Sequence, residues 1–408
     1  MNTANLSDNR PDVELSVGGL LRAATDGEGI SDFGDEGFLR PLEALVTALN
    51  EEARLNAHGR GMQHDRILNS LKNRLRQQEW LRLHPEIRDE ELLPPVVIVG
   101  LPRTGTTMLQ RILANDSRFH TGLSYELNTP APYMDWKPTG TDRRIVEAER
   151  RQTRILEANP KVAAILPMGP LAPNEEIRLL DHSFLSYVPT SYAHIPSYGR
   201  FVAESDNVPA YKYLELQLKF LQWQKKRRGE TAERWLLKSP YHLHWMQILL
   251  EVFPDAQVIA THRDPSVTIP SVTSLFYNLW LIGDENADKH VVADQTADVF
   301  ARGMQHTLET REGREDQFFD VWYEDTVSTP LDVIDEVYEF IGMQLTAAVR
   351  SAMEKHRGEN RRSDRPAHTY TLEEYGYTEA GIRRLFEGYY RRFIDVPRGI
   401  VTGKGSHV

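Results

Sequence analysis

The sequence predicts an α/β fold: a doubly wound, mostly parallel sheet flanked by helices and preceded by a helical N-terminal extension. Three observations predict it. An apolar run, Val96-Val-Ile-Val-Gly100, ends in small residues and opens a helical stretch near Thr106. A second, Val258-Ile-Ala-Thr261, ends in the charged pair Arg263-Asp264 before Pro265 starts another helical stretch. Between and after these runs, strand-length and helix-length patterns alternate, which in one chain means parallel strands joined by helical crossovers.

The elements follow in order. Residues 1–30 are polar and glycine-containing, and are expected to be loosely ordered at their start. Ser31 to Glu36 carries helix-starting chemistry, with acids where a helix dipole favours them. Phe38, Leu42, Leu45 and Leu49 then recur at helical spacing, as do Ile67, Leu68, Leu71 and Leu75, so residues 1–90 read as the helical extension and 91–400 as the α/β domain. Sheet order enters at Val96. Asp142 to Asn159 reads as a charged helix, and Pro160 to Tyr198, richer in Pro, Ser and Tyr, as irregular segments over a cleft. Helix is expected at 208–226 and 240–252, strand at 257–262, helix at 265–281 and 289–311. Strand 318–323 and helix 329–341 close the core, and 371–393 forms a last helical pair.

Composition limits the function. The formal net charge is −11, which argues against a nucleic-acid binder, whose surface must be cationic. The absence of cysteine rules out a disulfide framework, a thiol nucleophile and a cysteine zinc site. The N-terminus is polar, and no apolar run approaches the roughly 20 residues of a membrane span, so a soluble, cytoplasmic protein is expected. Oligomeric state stays open, a homodimer among the options.

The strand-to-helix turn at Gly100 is an anion cradle, because N–H groups at a helix N-terminus lack intrahelical partners and sit at the positive end of the dipole. Gly100 and Gly105 keep the G-x-x-x-x-G spacing of the nucleotide P-loop, but Gly105-Thr106-Thr107 stands where a nucleoside triphosphatase needs Gly-Lys-Ser/Thr. The cation is Arg103, inside the loop, whose planar fork can hold two oxygens at once. Val99-Gly-Leu-Pro-Arg-Thr-Gly-Thr-Thr107 resembles the 5′-phosphosulfate loop of sulfotransferases that use 3′-phosphoadenosine 5′-phosphosulfate (PAPS), in the Pro-Arg-Ser/Thr-Gly-Thr-Thr form of the tyrosylprotein-type and bacterial branches. The resemblance implies that Pro102, Arg103, Thr104, Gly105, Thr106 and Thr107 hold the donor. It covers roughly residues 93 to 345.

Other blocks extend it. Arg263 and Ser271, eight positions apart, match the family's 3′-phosphate segment. Lys238, in Leu-Lys-Ser-Pro, matches a lysine that neutralises the bridging oxygen as the sulfuryl group leaves, although Ser239 stands where tyrosylprotein-type enzymes have Asp. Tyr323, in Trp-Tyr-Glu-Asp, matches a strand-end tyrosine lining the nucleotide site, a position that an ordinary half-buried strand aromatic also explains. For the general base the resemblance implies Glu126, 23 residues after Arg103. His120, His182 and His194 are competing bases, and Glu126 as a plain ion-pairing acid is the alternative. His368 and Gly403-Lys-Gly405 are further candidates for closing over the nucleotide.

Glu175-Glu176 has no His or Asp at ligand spacing, so no metal site is expected. The implied reaction is in-line transfer of a sulfuryl group from PAPS to the hydroxyl of a small hydrophobic acceptor, a phenol or a steroid- or lipid-like alcohol. Tyr187, Tyr192, Tyr198, Phe276, Tyr277 and Trp280 are candidates for lining its cleft, or for an ordinary core. The competing class is an ATP-dependent P-loop kinase, which would need a Walker lysine and Mg²⁺.

Overall fold

The computed structural model of the chain describes residues 13–158, 169–359 and 370–396. Among these residues five strands, β1 (Leu93–Gly100), β2 (Phe119–Thr121), β3 (Arg234–Lys238), β4 (Gln257–His262) and β5 (Phe318–Trp322), form one parallel sheet in the order β2-β3-β1-β4-β5. The chain builds β1 first, adds β2 and β3 on one side of it, then crosses to add β4 and β5 on the other. That reversal beside β1 is the switch point at which an open α/β sheet leaves a crevice beyond its carboxyl ends.

Period-two alternation sorts the strand side chains onto two covered faces. Val97, Val99, Leu237, Val258 and Ala260 join one buried cluster, while Val96, Ile98, Leu236 and Ile259 join another. The second face is closed by α4 (Thr106–Leu113) and, later in the chain, by Val333, Ile334 and Val337 of the helix Pro330–Phe340. The cluster on the first face continues into the N-terminal helices α1 (Val17–Glu28), α2 (Leu39–Glu51) and α3 (Ala57–Leu83). Phe38, Leu42, Leu45, Leu49, Ile67, Leu71 and Leu75 are all buried there, as their helical spacing predicts.

Ion pairs fasten this layer. Arg76 meets Glu28 at 2.5 Å, and Arg66 meets Asp181 at 2.7 Å. Glycines let it come close to the domain: a Cβ on Gly59 of α3 would lie 2.6 Å from the Cα of Gly283, at the end of the helix Pro265–Gly283.

Several elements differ from expectation. Residues 17–28 form α1, a helix the sequence pattern does not delimit, with Ser16 capping its first turn at Gly19 N–H, a signal hidden by the Gly18-Gly19 pair. β2 has three residues and too little pattern to stand out, and Trp235-Leu-Leu of β3 is a short apolar run that fits either period. After α4, α5 (Ser124–Asn128) and α6 (Arg143–Ala158), the segment expected to be irregular contains the short helix α7 (Ile177–Asp181) and α8 (Pro196–Glu204). The chain then continues through α9 (Val208–Arg227), α10 (Met246–Val252), α11 (Pro265–Gly283), α12 (Lys289–Arg311), α13 (Tyr323–Ser328), α14 (Pro330–Phe340), α15 (Ala347–Glu359), which was not expected, and α16 (Glu379–Leu385).

The close α3–α11 contact yields an expected outcome. Gly59→Ala should lower the unfolding free energy by about 1–3 kcal/mol in urea denaturation, the usual cost of overpacking. Gly358→Ala, at a helical position with open space around it, should be neutral or stabilising by up to about 1 kcal/mol. Equal effects at the two positions would contradict the packing role of Gly59.

Candidate active site

Beyond β1 the chain turns through Leu101–Gly105 into α4. A Cβ on Gly100 would fall 2.3 Å from Thr261 Oγ1 and 2.5 Å from Thr261 O, so only glycine allows β1 and β4 to run this close at their carboxyl ends. Arg103 and Gly105 both take positive φ, 73° and 93°. Alternation of this kind turns backbone N–H groups into a concave anion nest, here at the N-terminus of α4. The left-handed conformation costs a non-glycine residue about 1–2 kcal/mol. Three contacts offset that cost. Arg103 Nε donates to Ser271 Oγ at 3.2 Å, Arg263 Nη1 donates to Arg103 O at 3.1 Å, and Thr104 Oγ1, next in the chain, donates to Leu101 O at 2.6 Å.

The second expected block meets the same loop. The Arg263 guanidinium stacks over the ring of Tyr323 at 3.9 Å, and a Cβ on Gly105 would lie 3.2 Å from that ring. Tyr323 opens α13 immediately after β5 rather than ending the strand. Ser271 is carried back by α11, which Pro265 starts and Asp264 caps through Ser266 N–H at 2.8 Å. Arg103, Arg263, Ser271 and Tyr323 therefore converge on one turn from residues far apart in the chain.

Lys238, at the carboxyl end of β3, completes the rim. Its Nζ lies 2.6 Å from Glu175 Oε1 and 3.3 Å from Thr107 Oγ1. Adjacent acids in this segment do different things. Glu176 is buried, accepting the Lys238 N–H at 2.8 Å and contacting His242 Nε2 at 2.6 Å, while His242 Nδ1 lies 2.8 Å from the Tyr211 hydroxyl. Glu175 is 29 % exposed and stands at the mouth. Its place is not evident from the sequence, where the acid pair is weighed only as metal ligands and set aside for want of a His or Asp at ligand spacing. Among the described residues no group of acids and histidines is arranged to hold a metal.

The structure does not bring Glu126 to this rim. Its side chain is fully buried on α5, with Oε2 2.9 Å from Lys225 Nζ and accepting Leu123 N–H, and Oε1 2.5 Å from Arg228 Nη2. Lys225 and Arg228 lie at the end of α9, which feeds the amino end of β3, opposite Lys238. Burial opposes its charge, but the two cations and their hydrogen bonds prevail and hold the carboxyl at about 2. In this arrangement both carboxylate oxygens of Glu126 are sealed from solvent and paired with cations.

His120 and His182 are interior groups as well, 2 % and 3 % exposed and held at about 4 by burial, while His194 is half-buried with its ring 5.6 Å from that of Trp280. Tyr187, Tyr198 and Trp280 are also core residues: the Tyr198 hydroxyl donates to Phe184 O, and Trp280 Nε1 to Thr190 O. His368 and Gly403-Lys-Gly405 lie outside the described residues.

Acid stability follows from these groups. Below about pH 6.5 the unfolded chain protonates histidines that the folded chain keeps neutral until about 4, so stability should fall by up to about 1.4 kcal/mol per histidine per pH unit in that window. His120→Gln should flatten the slope measured by denaturation at stepped pH, and an unchanged slope would contradict the assignment. Glu126→Gln should cost roughly 3–5 kcal/mol of unfolding free energy at neutral pH by stranding Lys225 and Arg228.

Comparison with known proteins bears on the chemistry of this rim. Residues 94–347 match the model of the sulfotransferase family. Over 266 residues the chain is 27 % identical to omega-hydroxy-beta-dihydromenaquinone-9 sulfotransferase Stf3 of Mycobacterium bovis and of Mycobacterium tuberculosis, covering 61 % of this chain and 63 % of each relative. The fold matches the crystal structure of sulfotransferase STF9 from Mycobacterium avium with a TM-score of 0.84 at 26 % identity, covering 94 % of this chain and 98 % of that one. It matches sulfotransferase STF1 from Mycobacterium tuberculosis H37Rv with a TM-score of 0.77 at 26 % identity, covering 93 % and 100 %. With the family match spanning the sheet, the loop and the Arg263 block alike, the chain belongs to the sulfotransferase family.

Proposed function

We propose that this protein transfers a sulfuryl group from PAPS to the hydroxyl of a hydrophobic, lipid-like acceptor in the cytoplasm. The observation that carries the reading is the meeting of Lys238 Nζ, Thr107 Oγ1 and the Glu175 carboxylate beside the loop on which Arg103, Arg263 and Ser271 converge. PAPS, when bound, supplies an activated sulfuryl group on a phosphate leaving group. The residues present fit such a donor: a nest of backbone N–H groups flanked by fixed cations suits its 5′ end, with Pro102, Thr104, Gly105, Thr106 and Thr107 shaping the loop. Arg263 and Ser271 suit its 3′-phosphate, and Tyr323 offers a ring face beside them.

In this reading Lys238 and Arg103 stabilise negative charge that builds on the bridging oxygen and the sulfuryl oxygens. Positioning and charge stabilisation of this kind supply most of the acceleration in such transfers. Lys238 carries three N–H donors, so it can hold Glu175 and a donor oxygen together. Glu175, rather than the sealed Glu126, takes the proton from the acceptor hydroxyl as the new O–S bond forms and the bridging O–S bond breaks. A kinase is disfavoured because no lysine follows Gly105.

Two observations support a lipid-like acceptor. The mycobacterial relatives are named for a hydroxylated dihydromenaquinone. Met108 and Leu171, close in the chain to Thr107 and Glu175, are 36 % and 57 % exposed. No helix among the described residues is long and apolar enough to cross a membrane, so such an acceptor would be met at a membrane surface or in dispersed form.

Metal-free calorimetric titration should show micromolar binding of 3′-phosphoadenosine 5′-phosphate with little for ATP. Preference for ATP that requires Mg²⁺ would overturn the reading in favour of phosphoryl transfer. Glu175→Gln should lower kcat at least about a hundredfold, the low end of a general base's contribution, with nucleotide affinity little changed. Near-wild-type turnover would remove Glu175 from the mechanism.

A further inference from the structure

The turn that carries Arg263 is held from behind by the end of the described chain. There a helical turn, Glu387–Tyr389, runs into a π-helical turn, Tyr390–Ile394. Their two buried tyrosines reach one four-residue stretch of backbone, Arg263 to Ser266. The Tyr389 hydroxyl accepts the Arg263 N–H at 3.2 Å and lies 3.1 Å from His262 Nδ1. The Tyr390 hydroxyl donates to Asp264 Oδ1 and accepts the Ser266 N–H at 3.3 Å.

Behind them His262 is clamped as well. Its ring stacks on Phe393 at 4.0 Å, and its Nε2 lies 2.7 Å from Asp320 Oδ1, whose carboxylate Arg311 grips at 2.6 and 2.8 Å. The segment from His262 to Ser266 is thus fixed by partners from three parts of the chain, Arg311 of α12, Asp320 of β5 and the C-terminal turns, which also pack against one another.

Two physical needs explain such a brace. Arg263 has a long, flexible side chain, and it aims reproducibly at a phosphate only if its backbone origin is fixed. Asp264 is its neighbour, and a carboxylate free to turn toward a bound dianion would repel it or capture Arg263 for itself. Tyr390 and the helix-capping bond to Ser266 N–H keep that carboxylate on the backbone side.

We propose that Tyr389 and Tyr390 are positioning residues for recognition of the nucleotide's 3′-phosphate, Tyr389 by setting the origin of Arg263 and Tyr390 by holding Asp264 away from the anion. The proposal rests on the PAPS reading of the site. It makes the C-terminal segment part of donor selectivity although neither tyrosine need touch the donor.

The test is calorimetric titration with 3′-phosphoadenosine 5′-phosphate and with AMP, which lacks the 3′-phosphate, on the full-length wild type, Tyr389→Phe, Tyr390→Phe and Tyr338→Phe. Tyr338 is the structural control: its hydroxyl donates to Asp116 at 2.6 Å and contacts none of these groups. The wild type should prefer the 3′-phosphorylated nucleotide. Tyr389→Phe and Tyr390→Phe should each lower that preference about tenfold, the scale of one charge-assisted hydrogen bond, with AMP affinity changed less than about twofold. Tyr338→Phe should lower the thermal midpoint and leave the preference intact.

An unchanged preference in folded Tyr389→Phe and Tyr390→Phe, or a parallel loss for both nucleotides, would overturn the proposal. Should Tyr389→Phe not fold, Tyr390→Phe decides alone. A wild type with no preference for the 3′-phosphate would instead overturn the PAPS reading itself.

Discussion

The site depends on how closely β1 and β4 approach at their carboxyl ends. Gly100 faces Thr261 with no room for a Cβ, and Thr261 in turn lies 2.6 Å from Thr104 Oγ1. This one contact sets the height of the loop above the sheet and ties it to the strand that delivers Arg263. The positive φ of Arg103, costly alone, is then held by groups from β4's exit and α11. Any displacement of the β1–β4 register would move the anion nest and its cations apart together, because they share the same anchor.

Charge is sorted by burial around this anchor. Glu126 is sealed among Lys225 and Arg228, and Glu176 is sealed against Lys238 N–H and His242, so both serve the architecture. Buried carboxylates whose oxygens are paired in this way hold elements in register. Glu175 differs from Glu176 by one position in the chain, yet that step takes it from the core to the mouth. Of these carboxylates it is Glu175 that keeps solvent access and a cationic neighbour, Lys238.

Much of this was legible in the sequence. The Gly100–Gly105 spacing, the Arg263–Ser271 interval and Lys238 point to a common rim, and those side chains meet it because strand ends in a parallel sheet gather on one side. Local signals carried that inference. The pairing of Glu126 was not legible, because its distance after Arg103 said nothing about Lys225 and Arg228, 99 or more residues further on, whose ammonium and guanidinium meet it. Glu175 was hidden for the opposite reason: its meaning comes from Lys238, which reaches it only after β2, α9 and β3 have formed. β2 and β3 were not legible because the three residues of the one and the apolar triplet of the other fit either period, and they become strands by pairing with β1 and with each other.

The acidic total of the chain and the cationic site are parts of one arrangement. A net charge of −11 spread over the surface repels polyanions at long range, and salt screens that repulsion beyond about 10 Å. Arg103, Arg263 and Lys238 act inside that distance, in a crevice walled by apolar sheet and helix, where interactions are screened less. A compact nucleotide with several charges can enter and find each cation at fixed geometry, whereas an extended anionic polymer must bring its remaining charge against the acidic surface. The same logic favours an acceptor without charge, which meets no long-range barrier. Under the proposed function, selectivity for a small polyanionic donor and a neutral acceptor would follow from where the charges lie rather than from their sum.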